Sequence, residues 1–171
     1  MSIAARPNPL LRVGVPDPLP VLDQAEVIFG RTGIPDRDNQ RPRQARRIAA
    51  AWMGVWGLRA YADDARLLLS ELVANAFRHG HGDVRVRVFL TRAYLAIEVK
   101  VAACGAPQMR ETNPLALEES GRGLFLVDAY ADGWAVSEDG SGVWCTLALA
   151  GAENPDGGQS PRRTPRAFPS P

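Results

Sequence analysis

The chain has 171 residues and a net charge of +1, with 46% hydrophobic and 23% charged residues. A chain of this length can bury a core of its own, so neither disulfides nor a structural metal is needed for folding. The near-zero charge argues against an electrostatic nucleic-acid binder, because neutralising phosphates requires an excess of Lys and Arg on one face. With two cysteines and two histidines in the whole chain, the composition also argues against a Cys/His zinc site.

The sequence predicts no membrane span and no secretory signal. The longest uncharged stretch of the first two thirds, residues 48–58, is 11 residues long, which is too short for a hydrocarbon layer of about 30 Å. Prolines near the N-terminus interrupt any continuous apolar segment. We therefore expect a cytoplasmic protein that binds neither a membrane nor nucleic acid directly.

The two ends of the chain differ in composition from the middle. Residues 1–24 contain five prolines, and residues 151–171 combine five prolines with glycine and arginine. Such segments carry too little apolar surface to offset the entropy lost on ordering. The composition therefore predicts a flexible leader over 1–24, a folded domain over 25–150 and a disordered tail over 151–171.

The folded block begins with a predicted edge strand over residues 26–32 and a charged loop over 35–42. Apolar residues then recur at helical spacing, which predicts a first helix over 45–56. Gly57 follows this helix and is expected to adopt the left-handed conformation past its end.

A second helix is predicted to begin near Asp63 or Asp64, either of which can cap the first N–H groups, and to end at Gly80. Strict alternation of apolar and polar residues follows. It predicts a hairpin with strands over 84–90 and 95–101.

A loop over 102–120 leads to the Gly-rich residues 121–123, which open an apolar helix over 124–131. A last hairpin is predicted, with strands over 134–137 and 143–149. The order β-α-α-β-β-α-β-β predicts an α/β two-layer sandwich, in which a mixed or antiparallel sheet carries helices on one face.

Two polar residues interrupt the apolar run of the second helix. Glu71 and Asn75 are four residues apart and therefore share one helix face. They are either a solvated stripe of an amphipathic helix or an oxygen pair, in which Asn75 ligates a hard cation such as Mg²⁺ and Glu71 orients or deprotonates a nucleophile.

Two further features each have a structural and a functional interpretation. Gly121-Arg122-Gly123 opens the third predicted helix. Glycines at the start of a helix let backbone N–H groups approach phosphate oxygens, although glycine turns before helices are also common without a ligand. At the end of the second helix, Arg78 and His79 either favour the helix dipole or contact a nucleotide.

The combination of motifs is more specific than its parts. SELVANAFRHG, a strand hairpin, a Pro/Gly loop and ESGRGLFLVDAYADGWAV follow one another in this order. Over about residues 26–149 they resemble the histidine-kinase-like ATPase (Bergerat) fold, which gyrases and histidine kinases share. More narrowly, the block is similar to the bacterial anti-sigma regulatory serine/threonine kinases, in their actinomycete branch.

This resemblance implies a role for each matching residue. Glu71 corresponds to the catalytic base of the family, and Asn75 to its Mg²⁺ ligand. The later glycine box, which wraps the ATP triphosphate in the family, corresponds to Gly121, Arg122, Gly123 and Leu124.

One family motif is altered. The family carries DxGxGxP at the end of a strand where this chain reads VAACGAP over 101–107. Val101 stands where the family's Asp accepts a hydrogen bond from the adenine amino group, and Ala103 replaces the first glycine, whereas Gly105 and Pro107 remain. A valine cannot accept that bond, and an unpaired buried amino group costs about 1–3 kcal/mol.

Two functions follow as expectations. The first is an ATP- and Mg²⁺-dependent protein serine/threonine kinase that acts on an anti-sigma factor antagonist, with a possible homodimer. The second is a protein-binding module with an impaired nucleotide pocket, which regulates a sigma factor or its antagonist by sequestration alone. Glu71 and Asn75 favour the kinase, and Val101 and Ala103 favour the module.

Overall fold

The fold is given by a computed structural model, which describes residues 20–101, 121–137 and 140–150. The loop predicted over 102–120, most of the leader and the whole tail lie outside the described residues. None of the helices within the described ranges combines the length and apolar character needed to cross a bilayer.

The described residues form one five-stranded sheet and four helices. The strands are β1 (Asp23–Phe29), β2 (Val84–Leu90), β3 (Tyr94–Val101), β4 (Gly133–Val136) and β5 (Gly142–Ala148). The helices are α1 (Pro35–Asp38), α2 (Arg41–Val55), α3 (Ala62–His79) and α4 (Gly121–Tyr130), with a 3₁₀ turn at Arg59–Tyr61. The sheet order is β1-β2-β3-β5-β4, and every neighbouring pair is antiparallel. The predicted α/β architecture is confirmed, with an antiparallel sheet.

The core lies between one face of the sheet and the helices. Val86 of β2 lies opposite Val27 of β1 and Val99 of β3. These valines pack in one cluster with buried side chains of α2 and α3, among them Met53 and Leu68. The helices therefore cover a single face of the sheet, as predicted.

The other face of the sheet carries a row of charged residues. A cross-strand row runs from Glu26 in β1 through Arg87 in β2 to Glu98 in β3. Arg87 Nη2 lies 2.5 Å from Glu98 Oε2. The charge of Arg87 is therefore paired across the strands.

The first strand begins earlier than predicted. It covers residues 23–29 rather than 26–32, and the Leu22 amide already donates a hydrogen bond to Leu90 O at 2.7 Å. The ordered sheet thus starts before the predicted domain boundary at residue 25. The sequence pattern missed these residues because pairing with β2 and a hydrogen bond from Trp56 Nε1 to Asp23 Oδ2 at 2.8 Å hold them, and both partners are distant in the sequence.

The predicted loop over 35–42 is also wrong in part, because it contains α1 and the start of α2. Both helices carry a proline in their first turn, where the missing N–H would have no helical partner anyway. Asp38 stabilises the turn before α1, since its carboxylate accepts hydrogen bonds from Thr32 N at 3.0 Å and from Thr32 Oγ1 at 2.8 Å. The backbone bond from Thr32 is the main reason why the pKa of Asp38 is lowered.

The start of α3 differs from the capping prediction. Tyr61 occupies the N-cap position without a side-chain cap, and Asp63 and Asp64 lie inside the first turn. Their negative charges there still favour the helix dipole. Burial raises the pKa of Asp64.

Cys145 is fully buried on the inner face of β5, as expected of a small hydrophobic residue. Burial raises the pKa of its thiol to about 12. The thiol is therefore protonated and unreactive at neutral pH. Cys104 lies outside the described residues.

The end of α2 confirms the role predicted for Gly57, which has φ +70°. Its N–H donates to Gly54 O at 3.3 Å, and the next N–H, of Leu58, donates to Met53 O at 2.8 Å. These two bonds satisfy carbonyls that the helix leaves unpaired at its end.

Gly57 and Gly54 offer a matched pair of substitutions. A Cβ on either meets nothing within 4 Å, but only Gly57 has a positive φ. We expect Gly57→Ala to lower the free energy of unfolding by about 1 kcal/mol, because the left-handed conformation is unfavourable for alanine. Gly54→Ala should instead raise it by up to about 1 kcal/mol, because the unfolded chain loses freedom. Urea denaturation of both variants tests this. A loss of unfolding free energy of similar size in both variants would contradict the left-handed conformation of Gly57.

Candidate functional site

Glu71 and Asn75 lie one turn apart in the middle of α3, where both side chains are half-buried. They are flanked by fully buried Leu72 and Val73. Within the described ranges, neither the Glu71 carboxylate nor the Asn75 amide has a hydrogen-bonding or ionic partner. Neither side chain has a polar atom that is fully buried without a partner, so their burial agrees both with a solvated helix stripe and with an oxygen pair.

Helix α4 brings the glycine box against Glu71. A Cβ placed on Gly123 would lie 3.2 Å from Glu71 Oε2. Gly121 is the first residue of α4, and the N–H groups of a first helical turn have no partner within the helix. The structure therefore places the Glu71 carboxylate next to backbone donors that are suited to an anion.

The end of β3 packs against the end of α3. A Cβ placed on Gly80 would lie 2.5 Å from Val101 Cγ2 and 2.7 Å from Ala76 O. The φ of Gly80 is −93°, which any residue adopts, so it is the close approach and not the backbone conformation that requires glycine here. Val101 thus lies against the turn of α3 that follows Asn75.

The turn of the last hairpin reaches the same place. The Val101 amide donates a hydrogen bond to Ser141 O at 2.8 Å. This bond continues the β3–β5 ladder beyond the pair Lys100 and Gly142. The strand end that carries Val101 is therefore held from both sides, by β5 and by α3.

A residue that the sequence analysis did not single out caps the end of α3. The Arg31 guanidinium donates to Phe77 O at 3.0 Å, to Ala76 O at 3.2 Å and to Gly80 O at 3.0 Å. It also lies over the Phe77 ring, 4.7 Å from its centroid. More than 40 residues separate Arg31 from these partners, so no local pattern could have revealed the contact.

The remaining predicted site residues have different outcomes. Arg78 and His79 lie in the last turn of α3, where basic residues favour the helix dipole as predicted, and the Arg78 side chain is exposed. Leu124 is half-buried in the first turn of α4. Gly105 and the side chain of Arg122 lie outside the described residues. Their contacts with a nucleotide stay predictions.

Among the described residues, no three His, Cys, Asp or Glu side chains form a metal-binding group. A divalent cation at Glu71 and Asn75 would need ligands from water and from a bound phosphate. Mg²⁺ fits this donor set, because it prefers oxygen, keeps several waters and is commonly shared with substrate phosphates.

Residues 34–148 match the model of the histidine kinase-like ATPase domain. The match covers more than half of the chain, so the chain belongs to this family. Family membership implies an ATP-binding domain, and the matched stretch includes Glu71, Asn75, Val101 and the glycine box. Strand β1 and Arg31 precede it. A search among curated proteins returned no significant match.

The contact between Gly80 and Val101 can be tested through stability. We expect Gly80→Ala to lower the free energy of unfolding by about 1–3 kcal/mol, because the new methyl group overlaps Val101. In a Val101→Ala background the cost of the same change should be smaller, since one of the two overlapping groups is gone. Urea denaturation of the four chains measures this coupling, and an equal cost in both backgrounds would show that Val101 does not pack there.

Proposed function

We propose that the chain is an ATP-dependent protein serine/threonine kinase that regulates transcription by phosphorylating a partner protein. The observation that supports this most strongly is the 3.2 Å separation between Glu71 Oε2 and the Cβ position of Gly123. It sets a carboxylate able to accept a proton beside backbone donors able to bind phosphate. A catalytic base and a phosphate site must be neighbours for phosphoryl transfer.

The reaction follows from these positions. The Glu71 carboxylate accepts the proton of a serine or threonine hydroxyl on the partner. The hydroxyl oxygen forms a bond to the γ-phosphorus of ATP, the bond from that phosphorus to the β–γ bridging oxygen breaks, and ADP leaves. The N–H groups of residues 121–123 bind the phosphate oxygens and stabilise the charge that develops on them.

Asn75 would hold Mg²⁺ through its amide oxygen, which has no partner within the described residues. The ion supplies neutralisation of phosphate charge when bound. Asn75 is one turn from Glu71, so a group held there lies next to the base.

The partner is proposed from the resemblance to the anti-sigma regulatory kinases. An anti-sigma factor antagonist would be the phosphorylated substrate, and a sigma factor would be the protein held or released. A cytoplasmic location and a homodimer belong to the same proposal. The pairing of Arg87 with Glu98 lowers the free positive charge of the sheet face, which agrees with a protein partner rather than nucleic acid.

A second function is favoured by Val101. Its side chain is apolar and packs against Gly80, so it offers no acceptor to an adenine amino group. A domain with this change could bind its partner proteins without using ATP. Calorimetric titration with Mg·ATP and Mg·ADP separates the two functions, since only the kinase binds them.

The roles proposed for Glu71 and Asn75 can be tested by substitution. We expect Glu71→Ala and Asn75→Ala to leave the fold intact, because neither side chain has a partner within the described residues. Phosphate transfer from labelled ATP to an anti-sigma factor antagonist should fall at least about 100-fold in Glu71→Ala, the size typical of a lost general base. Arg66→Ala is the control, since Arg66 lies on the same helix and is exposed. Two unfolded variants, or two folded variants with normal transfer, would make the assignment wrong.

The role proposed for Val101 can be tested by restoring an acceptor at this position. We expect Val101→Asp to tighten ATP binding by about one to two powers of ten, because it returns an acceptor to the adenine amino group. The gain is reduced by the desolvation of the new carboxylate. GTP should gain nothing, because its ring carries a carbonyl at that place. Calorimetry with both nucleotides measures the contrast, and Val101→Leu is the control for a change of shape alone. Equal tightening for ATP and GTP would contradict the adenine assignment.

A further inference from the structure

Arg31 joins three segments that are distant in the sequence. It follows β1, and its side chain is half-buried. The guanidinium binds the last carbonyls of α3 as described above, and its Nε donates to Gly82 O at 3.0 Å. The Arg31 amide donates to Asp83 Oδ1 at 2.9 Å. One residue thus holds the end of β1, the end of α3 and the turn into β2.

The rigidity of this arrangement follows from the chemistry of arginine. The last four carbonyls of a helix have no partner within it. A guanidinium presents its N–H donors in a fixed planar fork, so all its bonds are made in one orientation. Because all three side-chain nitrogens of Arg31 are used, the last turn of α3 cannot shift without breaking several charge-assisted bonds at once.

One of the carbonyls that Arg31 binds borders the contact between Gly80 and Val101. Ala76 O accepts from Arg31 Nη2, and the same oxygen and Val101 Cγ2 are the nearest atoms to a Cβ on Gly80. Arg31 therefore holds the last turn of α3, against which the end of β3 packs. Glu71 and the glycine box lie more than a turn further towards the start of α3 and are not among its partners.

We propose that Arg31 is a positioning residue for the nucleoside half of the nucleotide site. It acts through the last turn of α3, which it holds against Val101, and it leaves the phosphate half at Glu71 and Gly123 unaffected. This inference rests on the proposed ATP binding. It goes beyond the family match, which begins at residue 34.

Arg41 provides a matched control. Its side chain is also half-buried. It donates to Gly30 O at 3.0 Å and to Gln44 Oε1 at 2.9 Å. Arg41 thus binds the residue that precedes Arg31 but makes no bond to α3, so its removal perturbs the same loop without releasing the helix end.

The experiment compares two probes that report on different halves of the site. Mg·ATP and Mg·tripolyphosphate are titrated by calorimetry into the full chain and into its Arg31→Ala, Arg31→Lys and Arg41→Ala variants, each checked for folding by circular dichroism. In Arg31→Ala we expect ATP affinity to fall about tenfold, as for other residues that orient a binding group. Tripolyphosphate affinity should stay unchanged. Arg31→Lys should lose less, since it keeps the charge but not the fork, and Arg41→Ala should bind both probes like the parent.

Each other result decides against the inference. If Arg31→Ala loses affinity equally for ATP and for tripolyphosphate, the substitution has loosened the whole domain. If Arg31→Ala keeps the ATP affinity of the parent chain, Arg31 is not needed to hold the end of α3. A parent chain that binds ATP but not tripolyphosphate would show that the two halves do not bind independently. If Arg31→Ala does not fold, Arg31→Lys is used in its place. An ATP affinity in Arg31→Lys equal to that of the parent chain would then show that the planar guanidinium is not needed. If the parent chain binds no ATP, the proposed function is wrong as well. If the parent chain binds ATP and Arg31→Ala binds it equally well, only the inference about Arg31 is wrong.

Discussion

The close approach of two elements to α3 is the constraint on which the site depends. At Gly123 a side chain would meet the Glu71 carboxylate, and at Gly80 it would meet Val101 and a helix carbonyl. The absence of side chains at these two positions lets α4 and β3 come near the same helix. Because α3 also packs on α2 and on the inner face of the sheet, its own position is fixed from several sides.

Glu71 and Asn75 lie on α3 beside fully buried residues of the core. Glu71 and Asn75 are half-buried without partners in the described ranges, and partial desolvation of such groups costs stability. The hydrophobic cluster beneath them offsets this cost, since their neighbours Leu72 and Val73 are fully buried.

The two halves of the candidate site differ in how well they match the chemistry of ATP. The proposed phosphate half has the Glu71 carboxylate beside the first turn of α4 and the Asn75 amide one turn along α3. The nucleoside half has the apolar Val101 where the family has an acceptor, and its geometry is held by Arg31 from outside the family match. The two proposed functions therefore differ in what they expect at Val101 and agree in what they expect at Glu71 and Asn75.

The sequence by itself determined the α/β class, the helices that carry the motifs and the central hairpin, because alternation and helical spacing record which side chains face a core. It also placed Glu71 and Asn75 on one face, and Gly57 past the end of α2, since these depend on local geometry. It missed the early start of β1, the helix within residues 35–38 and the pairing of Arg87 with Glu98. Only the tertiary structure brought Gly123 to Glu71, Val101 to Gly80 and Arg31 to the end of α3, because each of these contacts joins residues more than 20 positions apart, and no local pattern specifies which distant elements meet.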